Sequence, residues 1–117
     1  MIEVLAIAAG GAIGALARFW TVNLVTQLTG ADFPYGILIV NVLGSCLIGI
    51  AFVLLIERAS MDTQWRSFII VGILGAFTTF STFSLQALDL MEAGRHIAAA
   101  MYVLGSVVLC LVGVALG

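Results

Sequence analysis

The sequence predicts an all-α membrane protein built from four transmembrane helices, and three observations predict it. Of 117 residues, 63% are hydrophobic and only 9% are charged, with a mean hydropathy of +1.28; a soluble domain carries roughly 25% charged residues. Four apolar segments, about 2–24, 36–56, 68–90 and 97–116, reach the roughly 20 residues a membrane helix needs. Short connectors at 29–36, 57–66 and 91–96 collect the lone proline, most of the charges and Trp65. Residues 1–117 therefore form one four-span domain, with no room for a soluble catalytic unit and no expectation of an enzyme.

The first span carries only Glu3 near its start, with no basic leader and no A-x-A site, so it is expected to be retained rather than cleaved. Gly10 and Gly14 share one face of it, and small residues at that spacing bring helices together in lipid. Arg18 lies about six residues before the span's end, roughly 9 Å at 1.5 Å per residue, within reach of the interface or of a pore entrance. The second span carries Asn41 and, one turn later, Ser45, beside Gly44, Cys46 and Gly49. The fourth carries Tyr102, Ser106 and Cys110, spaced four apart and so forming one stripe.

The third span is the unusual one. From Phe77 to Ser84 it reads FTTFSTFS, three phenyl rings and five hydroxyls in eight residues. Aromatic and β-branched side chains lose rotamer freedom in a helix, and hydroxyls compete for backbone hydrogen bonds. Coming just after Gly72 and Gly75, the run predicts a third helix broken near mid-membrane. Irregular backbone at that depth is tolerated only where protein or a water-filled cavity covers it. Gly94, in the last connector, is expected to stop that helix.

Charge narrows the function classes. With six acids, four arginines and no lysine, the formal charge is −2, and no basic patch exists for nucleic acid. Arg58 and Arg66 would lie on one side of the membrane and Arg95 on the other, a weak orientation bias that allows insertion either way up. No Walker motif offers a nucleotide site. No acid lies deep in a span, so the buried titratable group of a proton-coupled carrier is missing. Passive conduction is the expectation. The polar groups are neutral donors: the Asn41 amide, the hydroxyls, and the positive edges of Phe80 and Phe83, which share a helix face. Such donors suit a small anion that must leave as readily as it enters.

At these residues the chain resembles the Fluc (CrcB) family of fluoride channels. GGAIGALAR (10–18), GILIVNVLGSCLIG (36–49) and GAFTTFSTFS (75–84) are similar to that family's first, second and third helix motifs, the last being the most specific. The resemblance implies an antiparallel, dual-topology homodimer in a bacterial inner membrane, with two pores that export fluoride passively and relieve its toxicity. It implies that Asn41 is the pore asparagine, that Phe80 and Phe83 contact fluoride by their edges, and that Ser81 and Thr82 donate hydroxyls beside them. Tyr102, Ser106 and Cys110 would follow a polar track, with Arg18 at a vestibule. A structural sodium ion would sit at the dimer's centre on the backbone carbonyls of Gly75 and Thr78. Gln86, where an acid is expected in many members, and Cys110, where a hydroxyl is expected, depart from the pattern. The alternatives are a four-span proton-coupled multidrug exporter, which needs a glutamate where this chain reads Gly10 to Gly14, and a membrane subunit without transport, which leaves the polar run unexplained.

Overall fold

The computed structural model describes residues 1–30, 32–58 and 62–117; Arg58 is described by its backbone alone, and the connector readings at Ala31 and at 59–61 lie outside the described residues. The described chain is helical: α1 (Ile2–Thr29), α2 (Tyr35–Ala51) continued by a π-helical stretch (Phe52–Arg58), α3 (Thr63–Arg66) continued by a second (Ser67–Leu74), α4 (Gly75–Phe77), α5 (Ser81–Glu92) and α6 (His96–Leu116). Taken end to end these give four helical segments long and apolar enough to cross a membrane, Ile2–Thr29, Tyr35–Glu57, Thr63–Glu92 and His96–Leu116. The molecule is 48 Å along its longest axis, enough to cross a hydrocarbon core about 30 Å thick.

The first helix runs five residues past the predicted 24, and the third segment begins five before the predicted 68. Hydropathy measures what lipid accepts, whereas a helix continues into polar residues such as Thr26 and Gln27 as long as its backbone bonds can close. Between α5 and α6, Gly94 takes φ +79, the left-handed conformation glycine adopts without penalty.

Helix α1 lies along the stretch Ser67–Leu74 and α4, while α2 and α5 pack on α6. The first seam is backbone on backbone. A Cβ on Gly10 would strike the Phe68 carbonyl, and one on Gly14 the Ile73 carbonyl. At the end of the same seam Ser67 Oγ donates to Glu3 Oε1 at 2.9 Å. A buried cluster of Ile37, Phe83, Ala87, Leu90, Ala99 and Tyr102 ties α2, α5 and α6 together.

The seam predicts a sharp contrast. Gly14→Ala drives a methyl into main chain and should cost about 1–3 kcal/mol, as overpacking does. Gly11→Ala, with open space around its Cβ, should be neutral or stabilising by up to about 1 kcal/mol, since alanine is the better helix former. Thermal unfolding of both variants in one detergent checks this; equal midpoints would mean the seam does not carry the fold.

Candidate functional site

Helix α4 ends at Phe77. Thr78 is extended (φ −88, ψ 160), and regular helix resumes at Ser81. Thr78 closes the first half locally, its N–H and its Oγ1 both donating to the Leu74 carbonyl at 3.1 Å. Thr79 then takes its partners from another helix. Its N–H donates to Asn41 Oδ1 at 2.8 Å, and its carbonyl accepts from Asn41 Nδ2 at 2.9 Å. The primary amide of Asn41 thus stands in for a stretch of backbone and satisfies both main-chain groups of one residue. Close packing supports the clamp: a Cβ on Gly44, one turn after Asn41, would strike Thr78 Cγ2.

Two carbonyls lose their helical donors as a result. The amide four residues beyond Gly75 is that of Thr79, committed to Asn41; the one beyond Thr78 is that of Thr82, which donates to Thr79 Oγ1 at 3.3 Å. Across the gap Ser84 Oγ donates back to the Phe80 carbonyl at 3.0 Å.

The gap opens onto a cavity of about 390 Å³ between α2, the third segment and α6. Of the residues singled out in the sequence, Asn41, Gly44, Ser45, Gly75, Thr78, Phe80, Phe83, Ser106 and Cys110 line it together. Among the described residues, none lining it carries a formal charge. The remaining predicted residues stand elsewhere. Ser81 is exposed and sits 3.4 Å from Thr79 Oγ1, and Thr82 is half-buried behind the gap. Tyr102 is fully buried, its ring centroid 5.1 Å from that of Phe83 and 5.5 Å, edge-on, from that of Phe33. Arg18 is half-buried on α1, eleven residues before that helix ends at Thr29, or roughly 16 Å at 1.5 Å per residue. Its side chain lies further from a helix end than the shorter predicted span implied.

Phe80 and Phe83 meet with centroids 5.5 Å apart, yet they differ in burial: Phe80 is 78% exposed and Phe83 8%. The cause is local. Phe80 precedes the first turn of α5, whereas Phe83 lies within it and faces the core. Two hydrogen-bonding partners were not assigned from sequence. Thr79 was one hydroxyl among five, and its main chain turns out to matter. Gln86 Oε1 accepts from the Tyr102 hydroxyl at 3.0 Å, a neutral acceptor that a tyrosine buried in an apolar cluster needs. Ser106 Oγ is buried without a protein partner.

Four long apolar helical segments define a multi-pass membrane protein, and three of them line a cavity that carries no formal charge among the described residues. The chain belongs to the family described as CrcB-like protein, Camphor Resistance (CrcB), whose model matches residues 5–117. Among similar proteins, the fluoride-specific ion channel FluC of Methylococcus capsulatus is 51% identical over 116 residues, 99% of this chain and 51% of that protein. The chain thus spans about half the length of that relative. Proteins of the same name from Hahella chejuensis (49% identical, 95% of this chain and 87% of the relative) and Coxiella burnetii (47%, 98% and 94%) match nearly end to end. In the first span Gly10 and Gly14 face main chain, whereas Gly11 has open space beside it.

Proposed function

We propose that this protein is a fluoride channel that lets fluoride leave the cell passively, across a bacterial inner membrane. The observation that carries the reading is the cavity lining: the neutral donors of Asn41, Ser45, Thr78, Thr79 and Ser106 beside the rings of Phe80 and Phe83, with no formal charge among the described residues. Fluoride gives up a tight water shell on entering lipid, and donors in series replace it without holding the ion too firmly to move on. The rings of Phe80 and Phe83, which line the cavity, carry polarised C–H edges, Asn41 keeps a second N–H beyond the one given to Thr79, and the Ser106 hydroxyl has no protein partner among the described residues. Ser81, Thr82 and Tyr102 continue the path beyond the cavity, and Arg18 serves its vestibule.

The finer assembly belongs to the same proposal. The chain is a single four-span domain that works as an antiparallel homodimer with two pores, and the gap between Phe77 and Ser81 lies near mid-membrane. A phenyl ring left 78% exposed beside the cavity supports a second copy as the missing wall, and the arginine distribution supports insertion both ways. The carbonyls of Gly75 and Thr78, both at the cavity and both without their helical donors, have the chemistry to hold a structural sodium ion. Hard cations take oxygen ligands, and the ion would supply a fixed charge that scaffolds the dimer.

Purified protein in liposomes, followed with a fluoride electrode, tests the reading. Fluoride should leave far faster than chloride, at a rate indifferent to the direction of a sodium gradient. Reporters fused to the C-terminus should signal from both sides of the membrane. Equal chloride flux would sink the fluoride assignment, sodium-driven flux would make the protein a carrier, and one-sided signal would end the antiparallel arrangement.

A further inference from the structure

Beside the connector between the second and third spans, two hollows run into one another. The outer one has Thr63, Arg66 and Ser67 at its mouth, with Ile56, Ile70 and Val71 behind them. The inner one shares Ile56 and Ile70 and continues between Phe52, Val53 and Val114. Together they make one groove, polar where the third segment begins and apolar along its length. Ile56 and Ile70 belong to the two π-helical stretches, Phe52–Arg58 and Ser67–Leu74, and such turns gather at functional sites. Among the described residues, Arg66 is the one formal charge lining either hollow. It is half-buried, and Trp65 beside it is exposed, the placement of a membrane-interface anchor. The Arg66 Nη2 donates to Thr63 Oγ1 at 3.2 Å, while its Nε is buried without a partner among the described residues. A guanidinium has five N–H donors, and no carboxylate joins this one in the lining.

We infer that this groove holds one anionic phospholipid, with its phosphate at Arg66 and Thr63 and an acyl chain along Ile56, Ile70 and Val53. The two ends of the groove set the class of ligand. Arginine meets phosphate oxygens through paired N–H groups, and a chain of methylenes is the partner that an apolar groove on a membrane span meets. A zwitterionic headgroup would bring an ammonium, for which the lining provides no carboxylate; the acids of the same connector, Glu57 and Asp62, are exposed and outside the lining. An overall negative headgroup is therefore the better match. The inference rests on the chain spanning a membrane and is independent of what the chain conducts.

Native mass spectrometry of the purified protein, titrated with phosphatidylglycerol or phosphatidylcholine of equal chain length, tests the site. The unmodified protein should retain one phosphatidylglycerol per chain, at roughly fivefold or more lower concentration than phosphatidylcholine, as one arginine near a membrane surface contributes. Arg66→Gln should bring the two lipids level. Arg95 is the control, because its guanidinium already donates to the Asp32 carbonyl, and Arg95→Gln should leave the preference unchanged. Equal retention of both lipids by the unmodified protein, or equal loss of preference in both variants, overturns the headgroup assignment. Glycerol 3-phosphate carries the phosphate without a tail and should not displace the lipid at equal concentration; if it does, the groove takes a free anion and the acyl half fails. No lipid retained by the unmodified protein overturns the site outright, and a second copy of the chain is then what covers the groove. Should Arg66→Gln fail to fold, the preference of the unmodified protein and the glycerol 3-phosphate competition still decide.

Discussion

Asn41→Asp should abolish fluoride flux and lower the protein's stability together. The substitution keeps the acceptor that receives the Thr79 N–H but replaces the N–H facing the Thr79 carbonyl, now at 2.9 Å, with an oxygen. Two acceptors then oppose each other in a part-buried site. Leaving such a group unsatisfied costs about 1–3 kcal/mol, more when it is charged. An ionised aspartate also repels the permeating anion: at roughly 6 Å and an effective dielectric of about 20, one unit charge contributes about 2.8 kcal/mol, roughly a hundredfold in rate. Flux in liposomes and the thermal midpoint in detergent read the two effects separately. Full flux in Asn41→Asp would remove Asn41 from the path and leave it only the clamp on Thr79.

Replacing each phenylalanine by isoleucine separates charge distribution from bulk. Isoleucine retains an apolar surface but lacks a polarised edge, so flux should fall by roughly tenfold or more in each variant if fluoride meets the rings edge-on. The stabilities should diverge. Phe83 packs against Tyr102 and Phe80, and aromatic pairs contribute about 0.5–1.5 kcal/mol beyond their buried area, so Phe83→Ile should lower the melting point. Phe80, 78% exposed in the single chain, has little to lose within its own fold. Phe80→Ile is therefore the cleaner probe: lost flux with an unchanged midpoint supports the edge contact. Unchanged flux would reduce the ring to a spacer.

The four spans were legible because a membrane helix must be apolar for about 20 residues, and nothing else in a chain this hydrophobic competes with that signal. Their ends were less legible, since helical bonding ignores the polarity that closed the predicted span at 24. The run 77–84 announced itself through eight poor helix formers, and the main-chain irregularity at Thr78 falls inside it. What propensity cannot express is the partner. Asn41 and Thr79 are 38 residues apart, and their pairing depends on how α2 lies beside the gap. Phe80 and Phe83 read as equivalent positions three apart, and only the restart of the helix at Ser81 made one buried and the other exposed. The π-helical turns at Phe52–Arg58 and Ser67–Leu74 had no compositional signal.

The seam along α1 also constrains how the protein is made. Gly10 and Gly14 find their partners at Phe68 and Ile73, and Glu3 finds its own at Ser67, some 60 residues later in the chain. At synthesis rates of roughly 5–20 residues per second, the first helix waits about 3–12 s before the surface it fits exists. During that interval a bare glycine face and an unpartnered carboxylate stand in or beside the bilayer. The seam closes only when the third helix arrives, so assembly of this small protein is ordered by translation as well as by hydrophobicity.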